Sequence, residues 1–161
     1  MHASLNQEKT TDAQVALVTG AARRIGAAIV ERLHQAGFHV VIHCHQSKQD
    51  ADTLAKKLNQ MRSNSAYVIV ADLSFKNNAS ALIAWQGRLD VLVNNASCFI
   101  KTPLGSVSEE VCDKLWVTIV KAPFWMSEAA YACLAKQEGS IINITDIHAE
   151  KSLLNYAVYS Q

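Results

Sequence analysis

An excess of charge of either sign is missing from this chain of 161 residues: 15 Lys and Arg stand against 14 Asp and Glu, for a formal net charge of +1. A balance that close leaves no electrostatic footprint for nucleic acid or an anionic membrane, so neither is expected as a partner and small-molecule chemistry is the better expectation. Paired cysteines are missing too. Cys44, Cys98, Cys112 and Cys133 are widely spaced with no C-x-x-C among them, which signals neither a zinc knuckle nor a disulfide framework and reads as reduced thiols. His43 and His45 share a strand face, but no third ligand stands nearby and no metal site is expected. No apolar run approaches the length of a membrane span, and residues 1–14 are polar, without the basic start and apolar stretch of a signal peptide. Together these absences point to a protein of the cytoplasm.

What is present is a large apolar fraction, 50% of the residues, enough for one ordinary domain with a sizeable core. Val15-Ala16-Leu17-Val18 is a short apolar run that suits a strand buried on both faces. From Ile25 the apolar positions take helical spacing, through Ile29, Leu33 and Ala36, until Gly37 ends the helix. Strands follow at 38–43, 66–71, 89–93 and 140–144, and helices at 50–61 and 79–86. Ser106 or Ser108 can cap a longer helix reaching about residue 135, with Glu109 and Glu110 in its first turn and a kink at Pro123. Strands alternating with helices over short links define an α/β fold with a parallel sheet and right-handed crossovers.

The segment Thr19-Gly20-Ala21-Ala22-Arg23-Arg24-Ile25-Gly26 lies between the first strand and the first helix, the context in which a glycine pattern signals dinucleotide binding. Gly20 permits a tight turn, Gly26 lets the helix approach the strand, and the helix start offers free N–H groups to a pyrophosphate. The plain alternative is a loop that happens to hold two glycines. Arg24 stands where the common fingerprint has its middle glycine, exchanging close backbone approach for a guanidinium that can bind phosphate or an anionic substrate edge. As a merely solvated side chain it would cost about 0.3–1 kcal/mol at the positive end of a helix. After the second strand, enzymes preferring NAD carry an acidic residue for the ribose hydroxyl. His45-Gln46-Ser47-Lys48 stands here instead, a polar, basic-leaning cluster suited to a 2′-phosphate, so NADPH is the expected cofactor.

Asn94-Asn95-Ala96-Ser97 directly after the fourth strand, taken with the glycine turn, resembles the short-chain dehydrogenase/reductase family over nearly the whole chain from Val15 onward. The resemblance implies a Rossmann-type doubly wound parallel sheet with helices on both faces, an NADP-binding domain over residues 15–161 after a polar tail of 1–14. It also implies cofactor contacts at Gly20, Arg24, Ile25, Gly26, His45, Gln46, Ser47, Asp72, Leu73, Asn95, Ala96 and Ser97, with Asp72 at the adenine. Arg24, the continuation through Cys98-Phe99 to Thr102-Pro103-Leu104, and the His45-x-Ser47 strand end are similar to the pteridine reductase branch. That branch implies reduction of dihydropterin or dihydrofolate C=N bonds, with Arg24, Ser97, Phe99 and Tyr159 at the substrate and Phe99 stacked on the pterin ring.

The family motif Tyr-x-x-x-Lys selects Tyr159 as proton donor, because Tyr156 would demand a lysine where Ser160 stands. Asp146, thirteen residues earlier, occupies the place where carbonyl reductases of the family have a serine and pteridine reductases an aspartate. A tyrosine of ordinary pKa near 10 needs cationic neighbours to act near neutrality, and an aspartate can help relay the proton. The structural alternatives are a core phenylalanine at 99, a turn cap at Asp146 and a packed helical tyrosine at 159.

Two positions depart from the family pattern. The chain ends at Gln161, before the lysine expected four residues after Tyr159. The expectation is therefore a domain incomplete at its C-terminus, lacking two strands, a substrate-covering loop and a helix through which the full-length form becomes a homo-oligomer, with an exposed sheet edge left behind. Ile119, four residues before Pro123, stands where the family usually has an asparagine that holds a water for the proton relay. A general short-chain carbonyl reductase and a catalytically dead NADP-binding fragment are the alternatives.

Overall fold

The computed structural model describes residues 13–84 and 87–160. Most of the expected polar tail, and the last two residues of the expected 79–86 helix, lie outside them. The elements run β1 Val15–Val18, α1 Arg24–Gln35, β2 His39–Cys44, α2 Lys48–Met61, β3 Ala66–Val70, α3 Lys76–Ala84, β4 Val91–Asn94, α4 Glu109–Trp116, α5 Ala122–Lys136 and β5 Ser140–Asn143. All five strands are parallel, in the order β3-β2-β1-β4-β5. This is the doubly wound Rossmann-type sheet that the alternation of elements foretells.

The short strands read as apolar runs because both faces of the sheet are covered. Val18, Val40, Ile42 and Val93 point to one side, where they pack with Val30 of α1 and with Leu54 and Leu58 of α2. Leu17, Val41 and Leu92 point to the other, against Leu82 of α3 and Met126, Ala130 and Leu134 of α5. β5 is the exception. Among the described residues it pairs with β4 alone, and Ile141 and Ile142 on its opposite faces are exposed, so it forms an edge of the sheet.

Element ends differ from expectation by up to three residues, and the long helix differs in kind. Between α4 and α5 lies a π-helical segment, Val117–Lys121, in which Ala122 N–H reaches back to the Val117 carbonyl. The cause is Pro123, which has no N–H to give to the preceding turn. Widening the helix before it lets α5 restart at Ala122, so that the proline falls in a first turn, where a missing donor costs little. Ser108, rather than Ser106, caps α4: its Oγ accepts from Val111 N at 3.3 Å.

The ends of three strands are clasped by Asp90. Its Oδ2 accepts from Val15 N at 2.7 Å and from Arg88 Nε at 2.9 Å, and its Oδ1 accepts from Arg88 Nη2 at 2.8 Å. Its own carbonyl accepts from Ser140 N at 2.9 Å, joining β5 to the same point. Burial alone would raise the carboxyl pKa, but the Arg88 guanidinium and the Val15 N–H outweigh it and hold the group below its ordinary value. Replacing Asp90→Ala removes the carboxylate from the half-buried Arg88 guanidinium and from the Val15 N–H. Urea denaturation at neutral pH should show a loss of about 3 kcal/mol. A loss below about 1 kcal/mol, the range of an exposed pair, would contradict the clasp.

Candidate active site

The turn after β1 is shaped by what two glycines leave out. Gly20 has φ +61°, and a Cβ there would lie 2.8 Å from the Ala96 Cα; a Cβ on Gly26 would lie 2.5 Å from the Gly20 carbonyl oxygen and 2.7 Å from Asn95 Nδ2. Both side chains are excluded by backbone, so both expected glycine roles have a steric cause. Arg24 begins α1 at φ +53°, in the left-handed region where a side chain costs on the order of 1–2 kcal/mol. The fingerprint glycine it replaces is thus demanded by backbone conformation as well as by close approach.

Thr19 and Asn95 hold this turn to the end of β4. Thr19 Oγ1 accepts from Asn95 N and Ala96 N, each at 2.9 Å, and Asn95 Nδ2 donates to the Thr19 carbonyl at 2.8 Å and the Gly20 carbonyl at 3.1 Å. Beneath the turn lies His43, a residue that sequence reasoning passed over as structural. Gly20 N donates to His43 Nδ1 at 3.2 Å, Ala21 N donates to the His43 carbonyl at 2.8 Å, and the ring's Nε2 donates to the Ala71 carbonyl at 3.1 Å. These bonds require the neutral ring protonated on Nε2. Burial agrees, pushing the imidazole pKa from 6.5 to about 4. The signal for His43 in the sequence was a histidine inside an otherwise apolar strand.

A cleft of about 870 Å³ opens above the turn. Gly20, Arg24, Ile25, Gly26, His45, Gln46, Asp72, Leu73, Asn95, Ala96 and Ser97, all expected at the cofactor, line it together. Ser47 meets the Arg23 guanidinium at the cleft's edge, at 2.5 Å from Nη2. Arg23 also faces Asp50, at 3.5 Å, whereas Lys48 is held by Asp52 at 2.6 Å along α2. The cation beside Ser47 is therefore Arg23, from the glycine turn, and carboxylates do stand nearby. His45 faces Asp72 at 3.7 Å. The opposite wall comes from Asp113, Lys114, Val117 and Thr118, which sequence reasoning missed. They are far from the turn in the chain, and no local pattern marks them.

At the Ser97 end stands a second cluster. Tyr159 donates to Asp146 Oδ2 at 3.1 Å and also meets the Ser97 hydroxyl. Phe99, 54% exposed, has Tyr156 stacked on it with centroids 4.2 Å apart and planes 15° from parallel, and Tyr159 at its edge at 4.8 Å and 85°. Asp146 also caps the short 3-10 turn Ile147–Ala149, its Oδ1 accepting from His148 N at 3.0 Å, so it carries both the functional contact and the structural one. That N–H holds the Asp146 carboxyl below its usual range. Burial, then the hydrogen bond and charge of Asp146, raise the Tyr159 phenol above its ordinary value, with Ser97 opposing. Ile119, half-buried in the π-helical segment, offers no polar group.

The sheet order, the glycine turn at a helix start and the cleft over the strand ends define a dinucleotide-binding α/β protein. The chain belongs to the short chain dehydrogenase family, whose model matches residues 14–161. It is similar to pteridine reductase 1 of Leishmania tarentolae, at 38% identity over 92% of this chain and 66% of that one. An uncharacterized oxidoreductase of Methylorubrum extorquens is 35% identical, with coverage of 92% and 61%. A tropinone reductase homolog of Arabidopsis thaliana is 30% identical, with coverage of 91% and 57%. The chain thus spans 57–66% of the length of these relatives. The family is one of oxidoreductases that use nicotinamide cofactors.

The state of His43 gives the turn a pH dependence. Between pH 6.5 and about 4 the unfolded chain takes up a proton that the folded chain refuses, so stability falls across that window as acid is added and is level above it. The contribution is about 3 kcal/mol in all. Urea midpoints measured from pH 7 to pH 4 should fall more steeply in the wild type than in His43→Asn. Parallel slopes would remove His43 as the cause.

Proposed function

We propose that this chain is the NADPH-binding domain, residues 15–161, of a reductase that acts on pterins, reducing dihydropterin- or dihydrofolate-type C=N bonds. The observation that carries the reading is the union of the Phe99, Asp146, Tyr159 and Ser97 cluster with the glycine-turn cleft. The cleft suits the cofactor: Gly20 and Gly26 let the turn close onto the end of β4 and the start of α1, which lines the cleft with Arg24. Arg23 and Ser47, with His45 nearby, form the basic edge suited to a 2′-phosphate, and Asp72 and Leu73 stand at the adenine. When bound, the nicotinamide supplies the hydride.

The proton comes from this chain. Tyr159 carries its phenol proton at neutral pH, as a phenol of ordinary or raised pKa does, and is oriented by the ionised Asp146. The phenol protonates the ring nitrogen while the adjacent carbon takes the hydride. Asp146, exposed to solvent, then passes a proton from water back to the Tyr159 oxygen. Phe99 offers an exposed flat ring to the heterocycle, and Arg24 a guanidinium to its polar edge. The likeness to the Leishmania pteridine reductase supports the substrate class. The exposed Trp116, Phe124 and Tyr131 of α4 and α5 favour a subunit contact in a homo-oligomer, and the widely spaced cysteines support a cytoplasmic setting.

One observation favours a second reading, nucleotide binding without turnover. Among the described residues no cation shifts the Tyr159 phenol, and the Ile119 side chain offers no polar atom to a water. Titration with NADPH, read by the fluorescence of Trp116 and Trp125, separates binding from its absence. NADPH oxidation with dihydrobiopterin, in a form extended through the fourth residue past Tyr159, tests turnover. Binding without oxidation would establish the second reading, and oxidation with simple ketones alone would move the substrate class. Replacing Arg23→Glu should weaken NADPH by about 10–100-fold while changing NADH little. Equal weakening of both would remove Arg23 from the 2′-phosphate.

A further inference from the structure

Resting on the reading of Tyr159 as proton donor, we propose that Thr102 is the residue that positions it. Thr102 lies in the loop after β4, 1% exposed, where a hydroxyl needs a reason to be buried. Its N–H donates to the Asn155 carbonyl at 2.6 Å, and its Oγ1 accepts from Val158 N at 3.1 Å. Between those two points it forms an isolated parallel bridge with Tyr156. The two bonds therefore grip the chain on either side of Tyr156, and the second ends on the residue next to Tyr159.

The loop that carries Thr102 also carries two groups that Tyr159 meets besides Asp146. Ser97 touches the phenol, and Phe99 lies edge-on to Tyr159 and flat on Tyr156. A slip of the 153–160 segment against this loop would undo these contacts together. Thr102 sets the register that makes them simultaneous. Within the segment, Ser160 N donates to the Tyr156 carbonyl at 3.1 Å and Leu153 N to Ser160 Oγ at 3.4 Å. Thr102, the aromatic stack and the Tyr159–Asp146 bond tie it to the site. The Oγ1 matters more than the shape of the side chain, because it is the acceptor that the half-buried Val158 N uses.

The test reads the Tyr159 phenol itself, by phenolate absorbance against pH. Subtracting the titration of Tyr159→Phe isolates one tyrosine, which in the wild type should ionise above the ordinary value near 10. Replacing Thr102→Val keeps the volume and removes the acceptor. The Tyr159 step should move down toward the ordinary value as the phenol leaves Asp146, while Thr102→Ser, which retains the hydroxyl, should restore it. A step unmoved in T102V, with the raised wild-type step present, overturns the role of Thr102 and leaves Tyr159 standing. A wild-type step that is not raised overturns the placement of Tyr159 against Asp146, and the proposed mechanism with it. Should T102V fail to fold, amide exchange in the unaltered protein decides. A Val158 N–H protected relative to its neighbours supports the clasp, and one exchanging as a free amide overturns it.

Discussion

Much of this molecule depends on how closely Gly20 can approach Ala96. The two lie at the C-terminal ends of neighbouring parallel strands, and no side chain fits between them. With the backbones that close, the Thr19 hydroxyl reaches two successive N–H groups of the β4 end, and the Asn95 amide reaches back to two carbonyls of the turn. Gly26 then packs against the same carbonyl and amide, which fixes the direction of α1. The helix start faces the cleft because of that packing.

Burial decides the charge states around this contact. His43, sealed under the turn, is neutral and acts as acceptor on one ring nitrogen and donor on the other. Above the turn, Arg23 and Arg24 remain exposed and charged. A neutral floor and a cationic rim suit an anion that sits over a helix start, since the floor adds no competing charge and the rim supplies the attraction. At the other end, an exposed carboxylate held ionised by a backbone N–H sits beside a phenol held neutral. One accepts and the other keeps its proton, the state that the proposed proton delivery requires.

The parts legible in sequence were those with local causes. The strand runs, the helix spacing of α1 and the glycine turn each depend on residues a few positions apart, and the parallel pairing of the sheet followed from their alternation. Pro123 was legible as a disturbance, although its outcome was a π-helical widening and a restarted helix instead of a kink, because the neighbouring sheet keeps α5 in place. His43 was read as structural, but the contact that gives it that role exists only where a turn 23 residues earlier folds over it. Arg23 was overlooked, since it takes the place assigned to Lys48 only once Asp52 has captured that lysine.

Sequence by itself determined the class of fold, the turn that carries α1, and the candidate residues from Gly20 to Tyr159, because apolar periodicity, turn chemistry and motif spacing are written in adjacent positions. Only the tertiary structure decided which of those residues meet. It joined Tyr159 to Asp146 and Ser97, laid Tyr156 on Phe99, and brought α4 to the far wall of the cleft. These encounters link segments from different strand ends, and they depend on distances that the packing of helices on the sheet sets and that no local pattern encodes.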